Sequence, residues 1–157
     1  MSKILNITKG YTIDRTFEEL FQQLDTIIST PFDNSQFSTF GNFISADPPE
    51  FVFMNKWISF GRPMFAQAVS TKILARLLKS DDKSKIEITT KTNPAILIFF
   101  FVLLLTFAIK LLTYDNNSDI KISFVYLLLA TLTLAFDRFI KNILIASFER
   151  DLTLNSK

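Results

Sequence analysis

Two pairs of neighbouring ionisable residues could do chemistry in this sequence: the acidic pair Asp81-Asp82, and Asp137-Arg138 at the end of a long apolar run. Two carboxylates together can collect a cation. A hard cation wants more oxygen ligands than one pair supplies, however, and Ser80-Asp81-Asp82-Lys83 has the composition of a turn. Asp137 and Arg138 are sequence neighbours and point different ways on a helix, so they do not make a self-contained ion pair. Their ordinary role is to stop an apolar helix at a membrane interface. The sharper reading has Asp137 meeting a cation on another chain or, with Thr131 and Thr133, facing a conduit. The chain contains neither histidine nor cysteine, which removes the commonest general base, thiolate nucleophiles and most soft-metal sites. No phosphate-cradling glycine loop or G-x-S-x-G elbow occurs, and there are only three glycines. The expectation is a protein that is not an enzyme and holds no metal or cofactor.

Aromatics and cations form the next cluster. The aromatics Phe32, Phe37, Phe40, Phe43, Phe51, Phe53, Trp57, Phe60 and Phe65 exceed what the core of one small domain needs, and Trp57 and Phe60 stand beside Lys56 and Arg62. Most of these rings belong in the core. The four residues Lys56, Trp57, Phe60 and Arg62 nevertheless fit a surface that rests among lipid headgroups or docks a protein.

What must position these residues is a pair of apolar runs, 95–114 and 120–136, split by the polar turn 115–119. The first carries no charge until Lys110, and about 20 residues at about 1.5 Å each reach about 30 Å, one hydrocarbon core. It reads as a transmembrane helix. The second, diluted by Ser123, Thr131 and Thr133, is shorter and leans on the first. Lys110 and Lys121 at the turn, and Asp137 and Arg138 at the other end, are the expected interface anchors. The competing reading, two core helices of a soluble protein, needs more surrounding chain than 157 residues provide.

Lys72, Arg76, Lys79, Lys83, Lys85 and Lys91 precede the hairpin and Arg138, Lys141 and Arg150 follow it, while its turn is acidic. Both ends are therefore expected in the cytoplasm, the membrane being the inner or plasma membrane. The first residues show no signal peptide, so the amino-terminal part is expected to stay where it was made. With 17 basic against 15 acidic residues, nothing resembles the basic stripe of a nucleic-acid binder.

The remainder reads as α+β. A strand is expected at 4–8. Thr16-Phe17-Glu18-Glu19 is a capping box, and Phe17, Leu20, Phe21, Leu24, Ile27 and Ile28 keep a helical period up to Thr30-Pro31. An antiparallel meander follows, with strands at 39–45, 51–58, 65–79 and 85–92 broken at Asp47-Pro48-Pro49, Gly61-Arg62-Pro63 and Ser80 to Lys83. The stretch 71–79 also fits a helix turn; the hairpin signal after it favours strand. Beyond Arg138, Ile140, Ile143, Leu144, Phe148 and Leu152 continue a helical period. The second membrane helix is expected to run on and pack on the sheet, the membrane surface being the alternative. Three segments result: a cytosolic α+β domain (1–93), a hairpin (94–136) and a cytosolic amphipathic helix (137–157).

In this order of features the chain resembles a group of small bacterial membrane proteins with an N-terminal helix, a β-meander, a membrane hairpin and a terminal helix. Gly41 and Phe43, Phe51 and Phe53, Arg62-Pro63, Ile86 and Ile88, and Pro94 with Phe99 carry the likeness. The group usually has a glycine early in the third strand, where this chain has Ala75. The resemblance implies architecture and transfers no site. The expected function is that of a non-enzymatic integral membrane protein, an accessory subunit whose cytosolic domain binds another protein or the lipid surface. An oligomeric pore or membrane-disrupting effector is the alternative, and a homo-oligomer fits either.

Overall fold

The structure, a computed structural model, describes residues 6–32, 36–56, 71–79, 83–113 and 117–154. Five strands, β1 (Thr8–Ile13), β2 (Thr39–Ala46), β3 (Pro49–Asn55), β4 (Lys72–Lys79) and β5 (Ser84–Lys91), form one antiparallel sheet in the order β1-β5-β4-β3-β2. Strands β2 to β5 are the expected meander. The first strand then joins its last edge, so the chain crosses from one edge to the other through helix α1 (Phe17–Ser29). The sheet is open, with β1 and β2 as its edges.

Alternation decides which face is covered. In β5, Ser84, Ile86, Ile88 and Thr90 are buried while Lys85, Glu87 and Lys91 are exposed, a cleaner two-residue period than the sequence suggested. In β4 the buried set is Ile73, Ala75 and Leu77, which resolves 71–79 as strand. Ala75 lies across from Phe51 on one side and Ile88 on the other, where a small side chain leaves room for both. Helix α1 starts at the expected capping box, Thr16 accepting from the Glu19 amide and the Glu19 carboxylate from the Thr16 amide. It lays Leu20, Leu24 and Ile27 on Phe51, Phe53, Ile73 and Ile86.

Two apolar helices follow, α2 (Pro94–Leu112) and α3 (Asn117–Leu154). Asn93 caps α2 through its side chain to the Ala95 amide, with Pro94 in the first turn. Helix α3 runs unbroken for 38 residues, about 57 Å, through the stretch expected to span the membrane and on into the sheet domain. Its last half places Leu144, Ile145, Phe148 and Leu152 in the same core as α1 and the sheet. At roughly 1.5–3 kcal/mol for each fully buried apolar side chain, this docking outweighs any surface ion pair. The segment after residue 136 thus belongs to the core of the amino-terminal domain, and both lie at one end of the hairpin.

Several boundaries differ from the sequence reading. The first strand occupies Thr8–Ile13, later than the expected 4–8, whose first two residues lie outside the described ones; Ile7, Tyr11 and Ile13 all pack against the core, and Ile7 begins the pairing by bonding to Thr90. Pro49 opens β3 instead of closing the turn, a position where its missing N–H costs little. The turn between α2 and α3 is shorter than expected, since Asn117 is already helical. Residue Ile143 sits on the exposed side of α3, at 36% exposure, outside the stripe it was assigned to. The expected strand start at 65, and the Asp81-Asp82 turn, lie outside the described residues. In outline the element order fits the group of bacterial membrane proteins named above.

Strands β2 and β3 approach closely at Gly41, where a Cβ would stand 1.9 Å from the Val52 carbonyl oxygen and 3.3 Å from Ile28 Cγ2. Nothing lies within 4 Å of a Cβ placed at Gly10. Gly41→Ala is therefore expected to cost roughly 1–3 kcal/mol and lower the melting temperature in detergent by about 3–10 °C, while Gly10→Ala leaves it nearly unchanged. Equal midpoints for the two variants, read by circular dichroism, count against this account of the glycine.

Candidate functional site at the junction of sheet and hairpin

The buried polar residues gather where the sheet meets the hairpin. Along α3, Ser123, Ala130, Asp137, Leu144 and Asp151 are buried at a strict seven-residue interval, with Lys141 and Phe148 four residues after Asp137 and Leu144. This is one stripe on one helix. Its first half faces α2 and its second half faces the sheet, and Asp137 and Lys141 occupy the changeover. Their side chains are 3% and 1% exposed as residues, and the Lys141 ammonium donates to Asp137 Oδ2. Thr92, the residue after β5, accepts from Lys141 and lies 3.4 Å from Asp137 Oδ2, to which its hydroxyl donates. Asp137 Oδ1 has no hydrogen-bond partner.

Near this pair, Thr71 is buried with an unpartnered hydroxyl oxygen. The β4–β5 register, Lys72 across from Lys91, continued by one pair sets Thr71 across from Thr92 on the face toward α3. The arrangement can fix α3 against β5 through a charge-assisted contact. It sets the half-buried Thr92 hydroxyl between the Asp137 carboxylate and the Lys141 ammonium, and no group of three or more metal-ligating side chains occurs among the described residues.

Three further contacts lock the end of α3. Asp151, fully buried, accepts from the Ser38 amide at 3.2 Å, the Thr39 amide at 2.8 Å and the Thr39 hydroxyl at 2.6 Å. Gln23 of α1 donates to the Leu152 carbonyl at 2.7 Å, and Asn55 to the Ser147 hydroxyl at 2.8 Å. At the other sheet edge, Glu149 receives the Tyr11 hydroxyl and, at 3.0 Å, the Lys9 ammonium. Burial alone would raise the Glu149 carboxyl, but the Tyr11 and Lys9 hydrogen bonds and the Lys9 charge outweigh it and hold the group below its usual range. Burial, then the bond to Glu149 and its charge, push the Tyr11 hydroxyl well up.

The expected anchors fall into two layers. Lys110 and Lys121 are exposed at the end of the hairpin remote from the sheet; Asp137 and Arg138 lie at the sheet end, Arg138 exposed and Asp137 turned inward onto Lys141. The two layers stand about 24 Å apart along α3. Of the expected interaction surface, Lys56 is half-buried, bonds the Phe32 carbonyl at 2.8 Å and sits 5.3 Å over the Phe32 ring. Its companions Trp57, Phe60 and Arg62 lie outside the described residues. Sequence reasoning missed the Lys141 partner, Asp151 and Gln23; the seven-residue spacing from Ser123 to Asp151 was the available signal.

A second feature sits at the opposite end of the sheet. Phe17 and Phe21 of α1, Phe43 and Pro48 of the β2–β3 hairpin, and Leu77 and Lys79 of β4 line an open groove of about 620 Å³. Phe43 is 43% exposed and its neighbour Ile44, at an irregularity in the β2–β3 register, 54%.

Removing one member of a buried ion pair leaves an uncompensated charge. Asp137→Leu or Lys141→Met alone is expected to cost about 3–5 kcal/mol, and the double variant less than either, in a double-mutant cycle by thermal unfolding in detergent. Additive losses rule the pairing out. For Glu149, a depressed folded pKa gives stability that is present above the unfolded value, near 4.3, and lost as pH falls through the folded one. Glu149→Gln is thus expected to cost under about 1 kcal/mol at neutral pH, the site being partly exposed, with the gap to the native chain closing below about pH 4. A gap that persists in acid assigns the loss to packing instead. Comparison with known proteins found no matching family model, no matching curated protein and no matching solved structure.

Proposed function

We propose that this chain is a non-enzymatic integral membrane protein whose α2–α3 hairpin crosses the bilayer and whose sheet domain serves as an accessory, partner-binding module on the cytoplasmic side of the inner or plasma membrane. The observation that carries the reading is the continuity of α3. One helix is both the second apolar span and a core element of the sheet domain, so the domain is held in a fixed attitude at the membrane rather than tethered to it. Both helices are long and apolar enough to cross a membrane, and only 6% of the most apolar stretch of α2 is buried. A core helix of a soluble protein would be mostly covered. With β1, β3, β4, β5 and the end of α3 contributing to one core, the two flanks of a membrane-crossing hairpin would lie on one side, which agrees with the positive flanks.

The open edge β2 and the groove beside Phe43 are what this module presents to a protein partner. The pore reading gains no specific support. The Thr131 and Thr133 hydroxyls donate to carbonyls four residues back in their own helix, as does Thr106, and Asp137 is engaged by Lys141.

The chain is expected to stay with membranes through an alkaline carbonate wash, and reporters at either end to read cytoplasmic. In mild detergent it should migrate above the mass of a monomer, and Phe43→Glu should return it to monomer without releasing it from membranes. A monodisperse monomer from native membranes with no co-eluting protein ends the subunit reading; extraction by carbonate ends the membrane one.

A further inference from the structure

The face of the sheet turned away from the helices carries a charge arrangement that no ion pair among the described residues balances. Lys72 and Lys91 are directly paired across β4 and β5. Ile73 and Thr90 beside them point into the core, so both lysines leave the sheet on its open face. Like charges set opposite each other in an antiparallel pair are destabilising unless an anion lies between them. The nearest carboxylates in those rows, Glu87 and Glu50, stand four residues along the strands, about 13 Å away, and Glu50 is already held by Arg76 at 2.7 Å. Neither lysine makes an ion pair among the described residues. The sequence between β3 and β4, residues 57–70, contains Arg62 and no acid.

Position then selects the anion. Lys91 lies three residues before Pro94, the first residue of α2. The 19 residues of α2 rise about 28 Å, close to the hydrocarbon thickness, which sets Pro94 at the edge of the apolar layer. Three extended residues add at most about 10 Å, so the side chains of Lys91 and its partner can reach the headgroup layer, about 5–7 Å thick on each side.

From this we infer that Lys72 and Lys91 form a site for the phosphate of an anionic phospholipid in the cytoplasmic leaflet. The inference rests on the membrane reading above and adds to it a ligand and a place. Two ammonium groups from adjacent strands flank one phosphodiester, and the anion removes their mutual repulsion. The bound lipid thereby stabilises the β4–β5 pairing at the end of the sheet from which α2 departs.

The test uses the full chain in nanodiscs of phosphatidylcholine alone and of phosphatidylcholine mixed with phosphatidylglycerol, with retained lipid counted by native mass spectrometry and unfolding followed thermally. The native chain should retain phosphatidylglycerol in preference and melt higher in the mixed discs. At about fivefold per lysine near an anionic surface, Lys72→Gln/Lys91→Gln should lower that preference about 30-fold, and Lys72→Arg/Lys91→Arg should keep it. Removal of the same charge at the far end of the sheet, Lys83→Gln/Lys85→Gln, should leave it intact. An unchanged preference in the Lys72→Gln/Lys91→Gln chain, or an equal loss in the far-end control, overturns the site. Stabilisation of detergent-solubilised chain by inorganic phosphate to the same extent overturns the lipid as its ligand. A chain that fails to enter the phosphatidylcholine discs at all overturns the membrane reading, and the lipid site with it.

Discussion

Helix α3 must serve two packing partners with one stripe of side chains, helix α2 over its first half and the sheet over its second. Between residues 122 and 136 the exposed residues off the stripe are apolar apart from Thr131; over its second half Arg138, Asn142 and Arg150 are exposed while Leu144, Phe148 and Leu152 enter the core. The seven-residue interval keeps the buried line in step across both halves, drifting only about 20° per heptad from an ideal helix. Everything else adjusts to that line. Ser123 and Ala130 are small where α2 packs close, and Phe148 is large where the sheet falls away toward Phe53.

The changeover from helix partner to sheet partner leaves polar groups at depth, and the chain resolves them by pairing. Lys141 reaches both Asp137 and Thr92, so the charge, its counter-ion and the start of α2 are tied within a few residues of one another. Asp151 does the same for the beginning of β2, where three donors would otherwise point into the core without acceptors. Such pairs add little net stability compared with apolar residues of the same shape. They forbid alternative placements of the helix, since a shift of one residue would strand each charge among hydrocarbon side chains.

Most of the fold was legible because its signals are local. The capping box at Thr16, the β5 alternation and the uncharged length of α2 each report on a few consecutive residues. The sheet order was only partly so: the succession of β2 to β5 follows from the proline and turn residues that break the sequence between them, but the addition of β1 beside β5 is a long-range pairing that the sequence near Tyr11 does not announce. The junction was the least legible. Asp137 was visible as an ionisable residue at membrane depth, yet its partner lies one helical turn further on in what reads as a basic flank, and Lys141 looked like one more member of that flank. Gln23 is polar and so falls outside the apolar period of its helix, yet it lies on the buried stripe between Leu20 and Ile27 and satisfies the carbonyl of Leu152.

No glycine or proline interrupts α3 between Asn117 and Leu154, so the helix has no hinge at which the sheet could swing independently of the apolar hairpin. On the membrane reading proposed above, a change in bilayer thickness that alters the tilt of the apolar half would rotate the whole domain through the same angle. For a tilt of about 10°, the far end of the arm, roughly 26 Å beyond Asp137, would sweep about 4 Å parallel to the lipid surface. On that reading the height and bearing of the groove beside Phe43 would follow the thickness of the surrounding lipid.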